Sequence, residues 1–257
     1  MNGEDTGPTP RVVVAINTCW RDLDALELAT RLAAQCHQPL LALLVEDTGL
    51  LNLAELPFAR EIGRYSATER KLDSPRLLRT IHARSVEIRE CIGRLNEELR
   101  IEVAFKVVRG HFLPAALAEI DPIDILLLAR SLDAARWSGK PGGADSESPP
   151  IWTIYDDSPG ARRALSLAAE FAAEQQARLC IAVITADQAR FKALCKQART
   201  LCTGSLPLHF ISAPHGADTD LLRRIGQVGC RLLIVQREDE ETVLSLARAA
   251  SYPVALI

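Results

Sequence analysis

Residues 25–45 read ALELATRLAAQCHQPLLALLV, and residues 164–184 read ALSLAAEFAAEQQARLCIAVI. The two stretches align without a gap at an offset of 139, with identical residues at Ala25, Leu26, Leu28, Ala29, Ala33, Ala34 and Leu40. An internal repeat of this kind decides the fold before any local reading does. The same offset lays the apolar run Val12–Ile16 on Ile151–Tyr155. Short apolar runs without alternation suit strands buried on both faces, as in a parallel sheet. Val12–Ile16, Leu40–Val45, Ile151–Tyr155 and Leu179–Ile184 are such runs. The segments between them carry helical spacing, as in Leu28, Leu32 and Cys36, or Leu167, Ala168, Phe171 and Ala172. Asp157 or Ser158 is placed to cap the second helix, and Pro159 falls where its missing N–H does no harm.

Both copies continue in the same alternation. Copy one predicts a helix over Pro75–Leu99, a strand near Ile101–Val108, a short helix at Leu113–Ile120 and a strand at Ile123–Leu128. Copy two predicts a helix at Ala186–Leu201, a strand at Leu206–Ser212, a helix at Asp218–Gly226 and a strand at Arg231–Val235. It adds a helix at Asp239–Ala250 and a last strand at Tyr252–Ile257. Strands alternating with helices define an α/β class with doubly wound parallel sheets, here in two tandem domains. The expected layout is a disordered tail over 1–10, a first domain over 11–137, a Pro/Gly/Ser-rich linker over 138–150 and a second domain over 151–257. Copy one carries an insertion over 46–73 and no fifth strand. Leu50, Leu51, Leu53, Leu56 and Phe58 are expected to pack that insertion back on the body.

A βαβαβαβαβ unit in tandem, with an aspartate at the tip of its first strand, resembles the universal stress protein family. Ile151–Ile184, with IWTIYDDSPGARRALSLAAEFAAE at its start, is similar to that family's first strand, Asp-x-Ser turn and first helix. RLLIVQREDEETVLSLARAASYPVALI, at 231–257, is similar to its fourth strand, last helix and closing strand. The resemblance implies a HUP-type fold and an aspartate, matching Asp156, that contacts the adenine nucleotide in ATP-binding members. It also implies that fifth strands can pair across a dimer. With no fifth strand in copy one, the strand at 252–257 has no evident partner in the chain, so a homodimer through it is expected.

ATP-binding members of the family carry glycines after the fourth strand, because backbone N–H groups at a helix start cradle phosphate and only glycine permits the approach. Here Ala129, Arg130, Ser131 and Leu132 follow that strand in copy one. Gln236, Arg237 and the acidic run Glu238–Glu241 follow it in copy two. ATP is therefore disfavoured and no cofactor is expected. The ligand-binding candidates are Asp156, Asp157 and Ser158 in copy two, the matching Asn17 and Thr18 in copy one, and His111 and His215, which occupy corresponding turns. Each has a plain structural reading beside it: a helix cap, a solvated turn or a shared turn signal.

No nucleophile elbow, His-Glu-x-x-His or Walker loop occurs, so neither a catalytic set nor a metal set is assigned. A response-regulator reading of the Asp pair fails, since no Asp ends the third strand and no Lys the fifth. With a formal net charge of −3, no global basic field recruits nucleic acid. No run reaches the ~18 apolar residues of a membrane span. The seven scattered cysteines form no CxxC pair, which suits reduced thiols and a cytoplasmic setting. The leading expectation is a stress-linked regulator acting through protein contacts or an unidentified small ligand. A nucleotide switch or weak ATP hydrolase with a degenerate pocket near Asp156 is one alternative. An interaction scaffold using segment 46–73 is the other.

Overall fold

The computed structural model describes residues 9–17, 23–62, 69–129, 149–202, 206–214, 219–238, 240–250 and 252–257. The fold is α/β, with parallel sheets that helices accompany. The chain divides into two compact units, Met1–Pro122 and Ile123–Ile257. The tail over 1–8 and most of the proposed linker, 138–148, lie outside the described residues.

The first unit runs β1 (Val12–Asn17), α1 (Leu23–Cys36), β2 (Leu40–Asp47), α2 (Thr48–Glu55), β3 (Arg60–Ile62), β4 (Glu69–Lys71), α3 (Ser74–Leu99), β5 (Val103–Gly110) and α4 (Phe112–Leu117). Within it β2 lies between β1 and β5, parallel to both. All of Val12 to Ile16 is buried, as expected of runs without polar alternation. The insertion holds α2 and the antiparallel hairpin β3–β4. Its small core is Ala54, Ala59 and Leu72, with Leu50 and Leu77 packed against it. The expected packing of Leu53, Leu56 and Phe58 is not found: all three are exposed.

The second unit runs β6 (Ile125–Leu128), β7 (Ile151–Tyr155), α5 (Pro159–Glu174), β8 (Leu179–Val183), α6 (Gln188–Leu201), β9 (Leu208–Ser212), α7 (Thr219–Val228), β10 (Leu232–Val235), α8 (Glu240–Ala249) and β11 (Val254–Leu256). Its strand order is β6-β11-β10-β7-β8-β9. Every residue of β7, β8, β10 and β11 is buried, and Trp152, Tyr155 and Phe171 are the largest fully buried side chains.

Here one expectation is overturned. The last strand has partners on both edges: β10 in parallel, and β6 antiparallel with Val254 opposite Leu128. No edge of it is left to recruit a second copy, so the premise of a homodimer through 252–257 falls. The strand β6, which the repeat assigns to copy one, lies in the second compact unit.

The repeat extends to individual hydrogen bonds. Val12 N donates to Pro39 O and Ile151 N to Arg178 O, partners at the same offset of 139 in both positions. Helices α1 and α5 end alike. His37 and Gln176 have φ of 54° and 50°, and the next residues, Gln38 and Ala177, donate to Ala33 O and Ala172 O. Left-handed closure of this kind satisfies the last carbonyls of a helix.

Candidate ligand crevice at the carboxyl end of the second sheet

Open α/β sheets bind ligands outside the carboxyl ends of their strands, where strand order reverses. In the second unit that point lies between β7 and β10, which are parallel neighbours. The residues after β7 are Asp156, Asp157 and Ser158, and the residue after β10 is Gln236.

Each of these side chains is engaged. Asp156 Oδ1 accepts the Ser158 N–H at 2.9 Å, closing a tight turn. Asp157 has φ of 75°, a left-handed conformation that Asp tolerates better than most residues. Its Oδ1 accepts from Tyr155 Oη at 2.8 Å and from Arg162 Nε at 2.9 Å. The Arg162 hydrogen bond, followed by that of Tyr155, holds the Asp157 carboxyl below its usual range, and the charge of Arg190 adds to this. Burial, then the Asp157 carboxylate, pushes the Tyr155 phenol up to about 12.

Ser158 caps α5, its Oγ accepting from Ala161 N at 3.2 Å. The same hydroxyl donates to Gln236 Oε1 at 2.9 Å. Gln236 Nε2 in turn donates to Glu238 Oε1 at 3.0 Å. Gln236 lies so close over the first turn of α5 that a Cβ on Gly160 would stand 2.2 Å from its Oε1. Of the N–H groups that an anion at this helix start would use, that of Ser158 is bonded to Asp156 and that of Ala161 to the Ser158 hydroxyl, and Pro159 has none.

The neighbouring strand ends are closed in the same way. Asp187 Oδ1 caps α6 through Ala189 N at 2.9 Å. Ser212 Oγ donates to the Thr185 carbonyl at 2.9 Å. Among the described residues no group of three His, Cys, Asp or Glu side chains is placed to hold a metal ion.

In the first unit Asn17 ends β1, half-buried and engaged with a partner. His111 stands exposed at the start of α4 and makes no side-chain cap bond. It sits beside the start of α2, where Asp47 Oδ1 accepts Gly49 N at 2.8 Å. Thr18 and His215 lie outside the described residues. The structure therefore brings Asp156, Asp157 and Ser158 into one network and adds Tyr155, Arg162 and Gln236 to it. The sequence marked Gln236 only as the residue standing where glycines would follow the fourth strand.

No family model matches the chain, and no curated protein matches it. Among solved structures, a universal stress protein from Archaeoglobus fulgidus DSM 4304 is similar with a TM-score of 0.52 at 11% identity. The match covers 95% of this chain and 97% of that one. A functionally unknown protein from Pseudomonas aeruginosa PAO1 is similar with a TM-score of 0.50 at 13% identity, covering 96% of this chain and 92% of its own. At such identities the likeness is one of fold, and the fold of this chain is that of the universal stress proteins.

Proposed function

We propose that this chain is a regulatory protein of the universal stress type that acts through protein contacts and does not hold ATP in the usual way. The observation that carries the reading is Gln236. It lies over the start of α5 at the point where a nucleotide would enter, bonded to Ser158 and to Glu238. A phosphate there would meet the Glu238 carboxylate and a helix start capped by Ser158. Asp156, the residue the resemblance ties to adenine, already closes the turn to Ser158.

Equivalent hydrogen bonds and strand registers at one fixed offset support a tandem origin for the two units. No helix of the described residues is long and apolar enough to cross a membrane. The described cysteines are all free thiols, which supports a reducing, cytoplasmic setting.

Calorimetric titration of the full chain with ATP and ADP tests the proposal. Affinity weaker than about 1 mM, less than about 4 kcal/mol of binding free energy, is the expected outcome. Micromolar binding of either nucleotide would refute it.

A further inference from the structure

The charge of α3 runs against its own dipole. Residues 74–84 hold Arg76, Arg79 and Arg84 and no acid, whereas residues 85–99 hold four glutamates and two arginines. A helix is better served by acids in its first turn, because its amino end already carries partial positive charge. Asp73 precedes the three arginines as the cap, exposed and without a side-chain cap bond. Arg76 stands three residues after it, where Glu or Gln would complete a capping box. A local rule broken without a local gain marks a place where function overrides folding.

Two of these arginines answer no charge within the fold. Glu61 is held in a direct ion pair by Arg70, and Arg76 approaches it only at 4.0 Å. Arg79 Nε donates to the Pro75 carbonyl at 3.3 Å, and among the described residues its guanidinium meets no carboxylate. Asp73 forms no ion pair with either of them. Arg84 alone is matched, by Glu87 one turn further on.

In front of them lies an open hollow of about 580 Å³, lined among the described residues by Arg76, Arg79, Thr80, Ala83, Arg84 and Glu87. These positions form one stripe of α3, about 16 Å long at ~1.5 Å per residue. The lining holds no large apolar side chain, so it offers no seat to an amphipathic helix or to acyl chains. A compact anion would fill a fraction of its length. An extended chain rises ~3.3 Å per residue and turns alternate side chains to one side. About five extended residues therefore span the hollow, with carboxylates about 6.6 Å apart along it. Arg76, Arg79 and Arg84 succeed one another at about 4.5 and 7.5 Å along the helix axis, which long arginine side chains reconcile with that spacing.

We propose that this stripe of α3 docks an extended acidic segment of a partner protein, about five residues long with acids at alternate positions. Arg76 and Arg79 take its carboxylates, as planar guanidiniums do well. The Arg84–Glu87 pair bounds the far end, where Glu87 repels any further acid. The inference rests on the proposed action through protein contacts and names the chemistry of the partner. It concerns α3 and not the crevice, so nucleotide titration and peptide titration fail separately.

The test is fluorescence anisotropy of a labelled peptide, Asp-Ser-Asp-Ser-Asp, titrated with the full chain at low salt beside a control with Asn for each Asp. The acidic peptide is expected to bind and the control to fail, with binding that weakens as salt is added. Arg79→Glu and Arg76→Gln are each expected to weaken it about tenfold or more. Because Gln suits the third position of a helix, Arg76→Gln should leave Tm at or above the wild-type value. That readout separates a binding arginine from a structural one: a lowered Tm would show that Arg76 serves the fold, and overturns the proposal. Equal binding of the Asn control, or binding indifferent to both substitutions, overturns it as well. So does tripolyphosphate, or a phosphatidylserine vesicle, that binds more tightly than the peptide and is lost with the same two substitutions.

Discussion

Replacing Gly160 by alanine measures how firmly Gln236 closes the crevice. In an open helix the change is favourable by ~1 kcal/mol, since alanine loses less backbone entropy than glycine. Here the new Cβ would stand 2.2 Å from Gln236 Oε1, 3.2 Å from its Cδ and 3.0 Å from its Cβ. Rotating the glutamine relieves the contact at Oε1 but leaves the one at its own Cβ. Gln236 must therefore retreat and lose its hydrogen bond to Ser158, worth ~0.5–1.5 kcal/mol. Overpacking adds about 1–3 kcal/mol. Against the helix gain, Gly160→Ala is expected to destabilise by about 1–3 kcal/mol. In a Gln236→Gly background the obstruction is gone, and the same change is expected to stabilise by up to ~1 kcal/mol. The two substitutions should then show a coupling of about 1–4 kcal/mol, read from urea denaturation of the four proteins in the cycle. For a unit of this size 1 kcal/mol is about 2–4 °C in Tm, so calorimetry gives an independent reading. Additivity within ~0.5 kcal/mol would show that Gln236 does not lie over the helix start, and the closed-crevice argument would fall with it.

Four further outcomes are expected. Ala255→Pro, at a fully buried position of β11, removes a ladder donor between two partner strands and should cost about 3 kcal/mol or more, seen as loss of folded signal in circular dichroism. A folded variant that only changed its oligomeric state would restore the dimer reading. Arg162→Gln removes the main cause of the lowered Asp157 pKa. A lowered folded-state pKa contributes stability above the unfolded value and loses it as pH falls through the folded one. The Tm difference between wild type and variant should thus be present at pH 7 and vanish in acid. Tyr155 behaves as the alkaline counterpart. Its stabilisation holds below its ordinary value of 10.0 and is lost as pH rises toward about 12, a loss that Tyr155→Phe should abolish. Finally, burial raises the Cys180 thiol to about 11 and Cys230 well above its ordinary value. Both should resist Ellman's reagent at pH 8 until urea unfolds the chain, and fast native labelling of either would contradict their burial.

Much of the fold was legible because it is written locally. Apolar runs such as Val12–Ile16 and Ile151–Tyr155 become fully buried strands, and one offset relates helix ends as far as the turn at His37 and Gln176. Boundaries moved by a residue or two where pattern is weakest: the third strand of copy one begins at Val103, not Ile101. The partner of β11 was not legible. Antiparallel pairing with β6 joins residues far apart in the chain, and no spacing rule reaches that distance. The insertion misled for a related reason. An apolar side chain in a sequence looks the same whether it faces its own core or a partner, and Phe58 faces outward. At the crevice the capping role of Ser158 was legible, while Gln236 was visible only as a missing glycine.

The pairing of β6 with β11 has a consequence for synthesis. Leu128 and Val254 are opposite each other in the ladder, yet the ribosome makes them about 125 residues apart. At ~5–20 residues per second, the β6 edge waits about 6–25 s for the strand that covers it. During that interval a short, wholly apolar run is available to any other nascent chain. Yield of active material should therefore respond to translation speed and chaperone supply more than to the stability of the finished sheet.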